Sequence, residues 1–271
     1  MNYEAPACCS DSGAYTGIPD VRPYEKSLNI PEIIEKLDGL LSRGLQRQAG
    51  EFLNEKLKEA EKFGDWRSEL SILSEVMGFS RRSKDEAAGL EAVNRGLSII
   101  DDHGLSETVS GATVILNAAT TLECFGQTER SLTLFAHVSR VFSENLLPGD
   151  YRLAGLYNNM ALPLCAAGRF DEAEKYFKLA LKVLCASGEN YNEIADTLCN
   201  LAEMYDKIDP DDCRIDRCME KAWEYLNSPG IRHDSYHAFT LEKCIPCFDH
   251  FGYFLWAKAL RERVNTIYER T

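Results

Sequence analysis

The sequence predicts an all-α fold, an α-solenoid of about six antiparallel helix pairs, and three observations carry that expectation. From Leu28 onward, apolar residues recur at spacings of three and four (Ile33, Ile34, Leu37, Leu40, Leu41, then Ala49, Phe52, Leu53, Leu57, Ala60). That is the period of one helix face. Glycines or short polar clusters interrupt the pattern about every 15 to 25 residues, as helices of ordinary length joined by short turns require. A stretch of about 42 residues then repeats along the chain, the mark of a stacked array. Alternating β-branched runs of strand type are absent.

Residues 1–27 have no helical period and contain Pro6, Gly13, Gly17, Pro19 and Pro23. They are expected to form an extended or disordered tail, with Tyr3, Tyr15 and Tyr24 as the side chains that would pin it to the body. Residues 28–271 are expected to form the solenoid. Its clearest repeats are 70–111, 112–153, 154–195 and 196–230, and the divergent pairs 28–69 and 231–271 read as caps. The register is read by laying 112–153 over 154–195. Ala112 meets Ala154, Asn117 meets Asn159, Ala119 meets Ala161, Leu122 meets Leu164, Gly126 meets Gly168 and Phe135 meets Phe177. The next stretch follows at an offset near 41, with Asn200, Leu201, Ala202 and Tyr205. Small residues such as Ala161, Ala173 and Ala180 let two helices approach, and Leu164, Phe170, Phe177 and Leu181 fill the space beside them.

These residues carry a family resemblance. Leu156-Tyr157-Asn158-Asn159-Met160-Ala161, then Gly168-Arg169-Phe170-Asp171-Glu172-Ala173, Tyr176-Phe177 and Ala180-Leu181 resemble a tetratricopeptide repeat (TPR). The spacing is similar to the 42-residue TPRs of kinesin light chains and bacterial peptide-sensing regulators. The resemblance implies a right-handed superhelix whose first helices line a concave groove. It also implies a scaffold or sensor that holds an extended protein segment there.

Charge restricts the partner. There are 43 acidic and 30 basic residues, for a net charge of −13. Duplex binding needs clustered cations, and Arg81-Arg82 with Lys84 is the densest basic patch. Nucleic acid is therefore not an expected partner, nor is an anionic membrane surface. No apolar run approaches the ~20 residues of a membrane span. Met1–Asp20 shows no basic and apolar leader pattern, so a cytoplasmic protein is expected. In a reducing compartment the ten cysteines are thiols. Cys124, Cys165, Cys185 and Cys199 lie in apolar helical patterns and read as packing residues.

On the first helix of successive repeats one side chain recurs: Asn117, Asn159 and Asn200. An amide side chain both donates and accepts, so a rung of Asn per repeat would bond a peptide backbone whatever its sequence. The resemblance implies such a ladder. The alternative is that each Asn bonds the neighbouring repeat. Leu116, Thr120, Asn158, Leu162, Cys199 and Glu203 complete the expected peptide-binding set. The ligand would be neutral or basic. Pro163 interrupts a helix here by removing the bond to the Asn159 carbonyl.

Other motifs give less. Cys244-Ile245-Pro246-Cys247 with His237 and His250 invites a zinc reading. On one helix, however, His237 lies seven residues, about 10 Å, from Cys244, and one helix offers two adjacent ligands, not four. Asp209-Pro210-Asp211 with Glu220 echoes a calcium loop, but Cys213 and Arg214 stand where an oxygen and a glycine are needed. No phosphate loop, dinucleotide fingerprint or hydrolase motif occurs. No metal, cofactor or catalytic residue is expected. Two other readings remain open, a module for homo-oligomer assembly and a metal-binding protein built on the C-terminal Cys/His cluster.

Overall fold

The computed structural model describes residues 27–186 and 188–270. The tail expected over residues 1–27, with Tyr3, Tyr15 and Tyr24, lies outside the described residues except for Ser27. Among the described residues there are twelve helices and no strand. None of the helices is long and apolar enough to cross a membrane. The chain divides into two compact units at Leu146/Leu147, and each unit holds three helix pairs.

The first unit contains α1 (Ile30–Ser42), α2 (Gln46–Phe63), α3 (Trp66–Ser83), α4 (Glu86–Asp102), α5 (Val109–Cys124) and α6 (Thr128–Asn145). Helix starts are written in the sequence. Asn29, Asp65, Asp85 and Thr108 each accept the N–H of the residue three further on, which satisfies a donor that the first turn leaves open. Ile33, Leu37, Ala49, Phe52 and Leu53 bury the first pair against Ile72 of α3. Further along, Phe135, Val138, Val141 and Phe142 of α6 are fully buried.

The second unit contains α7 (Tyr151–Ala166), α8 (Phe170–Ala186), α9 (Tyr191–Ile208), α10 (Arg214–Leu226), α11 (Ser235–His250) and α12 (Phe254–Arg270). Ala161, Ala173, Phe177 and Ala180 are wholly buried, and Leu164 nearly so. Tyr157 is half-buried, its ring 6.0 Å from that of Tyr176. Pro163 is buried inside a continuous α7.

The repeat is visible in the turns that join the members of a pair. Gly126 and Gly168 take φ of 75° and 72°. Beside each, the next N–H returns to a carbonyl five residues back: Gln127 to Leu122 at 2.8 Å and Arg169 to Leu164 at 2.8 Å. This is the closure a left-handed residue gives to a helix C-terminus, and glycine adopts it without strain. Between α3 and α4 the same turn is made by Lys84 at φ 58°, so the conformation is kept where the sequence signal is lost. The notch between pair members is also periodic. Gly89, Ser131 and Ala173 are buried small residues 42 apart (131 − 89 = 42, 173 − 131 = 42). A Cβ at Gly89 would fall 2.6 Å from both the Phe125 ring and the Ser80 hydroxyl.

Cysteine burial differs from expectation in two places. Cys165 and Cys199 are buried, but Cys124 and Cys185 are exposed. Both stand in the last turn of their helices, beyond the reach of the inter-helix core.

Candidate functional site

The recurring Asn register places its three side chains on first helices, one per repeat: Asn117 on α5, Asn159 on α7 and Asn200 on α9. Their settings differ. Asn117 is 1% exposed. Its Nδ2 donates to the Ser74 carbonyl at 2.8 Å and to the Ser74 hydroxyl at 2.9 Å. Its Oδ1 accepts from Arg81 Nη1 at 2.7 Å, and the same nitrogen donates to Thr121 Oγ1 at 2.6 Å. Asn117 thus joins α5 to α3 and presents no amide to a ligand, so as a groove residue it is corrected to an inter-repeat clamp. Asn200 is half-buried and donates through Nδ2 to Asn158 Oδ1 at 3.2 Å. An amide offers two donors and two acceptor lone pairs, so this bond uses a part of its capacity. Asn159 is half-buried.

The bonds share a rule. Asn117 and Asn200 reach the preceding first helix one position before the matching residue, Ser74 and Asn158. In the last pair a cysteine reaches α9 in a similar way: Cys247 Sγ contacts the Cys199 carbonyl at 3.7 Å. The neighbours Leu116 and Cys199, expected to read ligand side chains, are 1% and 4% exposed and face inward. The outward set is Asn158, Asn159, Leu162 and Thr120, all half-buried, with Glu203 exposed.

Replacing Asn117 by alanine is expected to cost roughly 1–3 kcal/mol in urea unfolding, because Arg81 and the Ser74 carbonyl lose a buried partner. Asn200→Ala should cost less than about 1 kcal/mol, since its site admits water.

Sequence reasoning missed Asp196 and Lys243. Asp196 lies four residues before Asn200, on the same side of α9, and this spacing was the available signal. Lys243 of α11 donates to its Oδ2 at 2.6 Å, Tyr236 donates to Glu193 at 2.7 Å, and His250 pairs with Asp206 at 3.0 Å. The first helices α9 and α11 are thereby tied across a polar face. Surrounding protein desolvates the Glu203 carboxyl and raises its pKa. Lys207 and His250 oppose that shift, while Asp196 and Asp206 add to it.

The C-terminal Cys/His set is dispersed. Cys244 and Cys247 are buried in α11, with Cys247 Sγ 3.6 Å from Met219 Sδ. Hydrogen bonding to the Cys244 and Cys247 sulfurs, and burial, hold the Cys199 thiol well above its usual range. His237 Nδ1 is engaged by Asn192 at 2.8 Å and His250 by Asp206. Among the described residues no group of three His, Cys, Asp or Glu is arranged to hold a metal ion.

Comparison with known proteins places this architecture. The family model for the tetratricopeptide repeat matches residues 152–212. The crystal structure of BtubC (BKLC) from P. vanneervenii superposes with a TM-score of 0.52 at 16% identity, covering 89% of this chain and 91% of that chain. A putative kinesin light chain from Podosopora anserina, with nearly identical TPR-like repeats, gives a TM-score of 0.47 at 15% identity, covering 72% and 92%. Pseudomonas aeruginosa pilF gives 0.49 at 15%, covering 89% and 93%. No curated protein matches the chain in sequence. At such identities the likeness is one of fold, and BtubC carries it. Residues 152–212 match the tetratricopeptide repeat, and the paired helices of both units share the fold of tetratricopeptide-repeat structures.

Proposed function

We propose that this chain is a cytoplasmic protein-binding scaffold, and that the first helices of its second unit hold an extended, neutral or basic segment of a partner. The observation that carries the reading is the polar row on α9. Asp196, Asn200 and Glu203 follow at spacings of four and three, and Asn158, Asn159 and Leu162 stand in the matching register of α7. Asn amides suit a peptide backbone, carboxylates suit Lys or Arg side chains, and Leu162 offers an apolar contact. Asn200 spends one donor on Asn158 within the protein, whereas Asn117 of the first unit is spent on packing. The tetratricopeptide match covers this same stretch, and proteins of this fold generally work by holding other proteins. No residue is assigned a catalytic role.

The test is selection of a displayed random peptide library on the protein, followed by fluorescence anisotropy on the peptides recovered. Asn159→Ala with Asn200→Ala should weaken them about ten-fold, at roughly 0.5–1.5 kcal/mol per hydrogen bond. Asp196→Asn with Glu203→Gln should flatten the salt dependence of Lys-rich peptides. Unchanged affinity in both double variants, with circular dichroism intact, removes the reading.

A further inference from the structure

We infer that Cys199 and the Cys244/Cys247 pair form a peroxide-responsive disulfide site that fastens α11 to α9. The inference concerns thiols inside the second unit and stands apart from the peptide-binding reading.

The first argument is where the sulfurs meet. Cys199 of α9, Met219 of α10, and Cys244 and Cys247 of α11 come from three different helices, and none is more than 4% exposed. The Cys199 thiol is hydrogen-bonded to the sulfurs of both Cys244 and Cys247. Cys247 Sγ also lies 3.7 Å from the Cys199 carbonyl and 3.6 Å from Met219 Sδ. All three cysteines are free thiols. A thiol that only fills space as a small apolar side chain needs no second thiol beside it. Here three converge across the contact between two repeats.

The second argument is that geometry selects the bond. Helix α11 runs unbroken through Cys244-Ile245-Pro246-Cys247. Positions three apart on a helix hold their Cβ atoms about 5–6 Å apart, whereas a disulfide takes about 3.5–4.5 Å. The pair therefore does not close on itself without unwinding the helix. Cys199, on the facing helix and bonded to both, is the partner that either one reaches. One thiol is left over when the bond forms, and its thiolate can attack the new disulfide and pass the link between Cys244 and Cys247.

The third argument is when the bond forms. In the closed unit the hydrogen bonds to Cys244 and Cys247, then burial, hold the Cys199 thiol well above its usual range, which suppresses the reactive thiolate. The pair α11–α12 is the last one described and meets the rest of its unit on the α9–α10 side. A pair held from one side opens locally more readily than one held from both. Opening returns the thiols to water and to a pKa of about 8.5. One thiolate then attacks hydrogen peroxide: the O–O bond breaks, hydroxide leaves and the sulfur becomes a sulfenic acid. The partner thiolate attacks that sulfur, the S–S bond forms and a second hydroxide leaves. The two hydroxides take up the two thiol protons, so two thiols and one peroxide give one disulfide and two waters. The bond holds α11 on α9, and with it the ties from Lys243 to Asp196 and from Tyr236 to Glu193. A small thiol reductant reverses the step.

The test treats the full chain, dilute enough to stay monomeric, with a small excess of hydrogen peroxide. Disulfides are mapped by tandem mass spectrometry and α11 is followed by hydrogen exchange. The expected result is a bond within one chain from Cys199 to Cys244 or Cys247, with α11 amide exchange slowed about ten-fold and restored by dithiothreitol. Cys244→Ser and Cys247→Ser should each still form the bond to the thiol that remains. Cys199→Ser should form neither, and its α11 exchange should ignore peroxide. Recovery of Cys199 as a free thiol, a bond within the Cys244/Cys247 pair, oxidation confined to the exposed Cys124, Cys185 and Cys213, or unchanged α11 exchange in the linked protein each overturns the proposal. The map of the parent chain decides the point even where a serine variant fails to fold.

Discussion

Phe177→Ala is expected to cost about 3–5 kcal/mol and to lower the melting temperature of the second unit by roughly 10–20 °C. The ring is wholly buried in mid-α8, and its neighbours Ala161, Ala173 and Ala180 are wholly buried too. Those alanines already bring the helix backbones close, so the helices have little room to move inward and fill the void. The cavity term then adds to the lost transfer energy. Tyr157→Ala, on the same cluster's rim, removes a half-buried ring and should cost less than half as much. Differential scanning calorimetry of the two variants decides it, and a Phe177→Ala protein that melts with the parent would remove the packing argument.

Acid should destabilise the second unit through His237. Its side chain is fully buried, Nδ1 donates to Asn192 Oδ1, and Nε2 has no hydrogen-bond partner. Burial, then the charge of Arg263, then His233 lower its pKa to about 3. In the unfolded chain the value returns to about 6.5. A depressed folded pKa means that the unfolded state binds the proton more tightly. The stability is complete above pH 6.5 and is lost as pH falls from there toward 3. Between pH 7 and pH 5 the loss is about 2 kcal/mol. Urea denaturation at pH 7, 6 and 5 should show this slope in the parent and lose most of it in His237→Leu. Parallel pH profiles for the two proteins would contradict the assignment.

The register of the fold was open to reading because packing is periodic. Gly126 over Gly168 and Phe135 over Phe177 fixed both the helix pairs and the turns between them. What a shared register does not contain is the direction of a side chain. Adjacent residues on a helix are turned by about 100°, and one such step separates the face toward the preceding repeat from the outward face. Asn117 goes inward because Ser74 is small and Arg81 reaches over it. Asn200 stays half-open beside the larger Asn158. Leu116 and Cys199 turn into the core for the same geometric reason. Lys84 in the left-handed conformation gave no signal, since its turn is held by the bond from Asp85 N to the Ser80 carbonyl rather than by residue type. The cross-helix pair of Lys243 with Asp196 spans 47 residues, which is not the repeat period, so no alignment of repeats would have matched them.

The clamp from Asn117 to Ser74 bears on how the first unit opens. In a stacked array each pair touches only its neighbours, and local openings would otherwise peel pairs away singly. A buried amide that makes three bonds to the preceding repeat makes that peeling incomplete: if α5 departs alone, Ser74 and the Arg81 guanidinium lose their partner together. The second and third pairs are thereby bound into one opening unit, and the amide protons of α3 and α5 exchange with solvent at a common free energy rather than in succession.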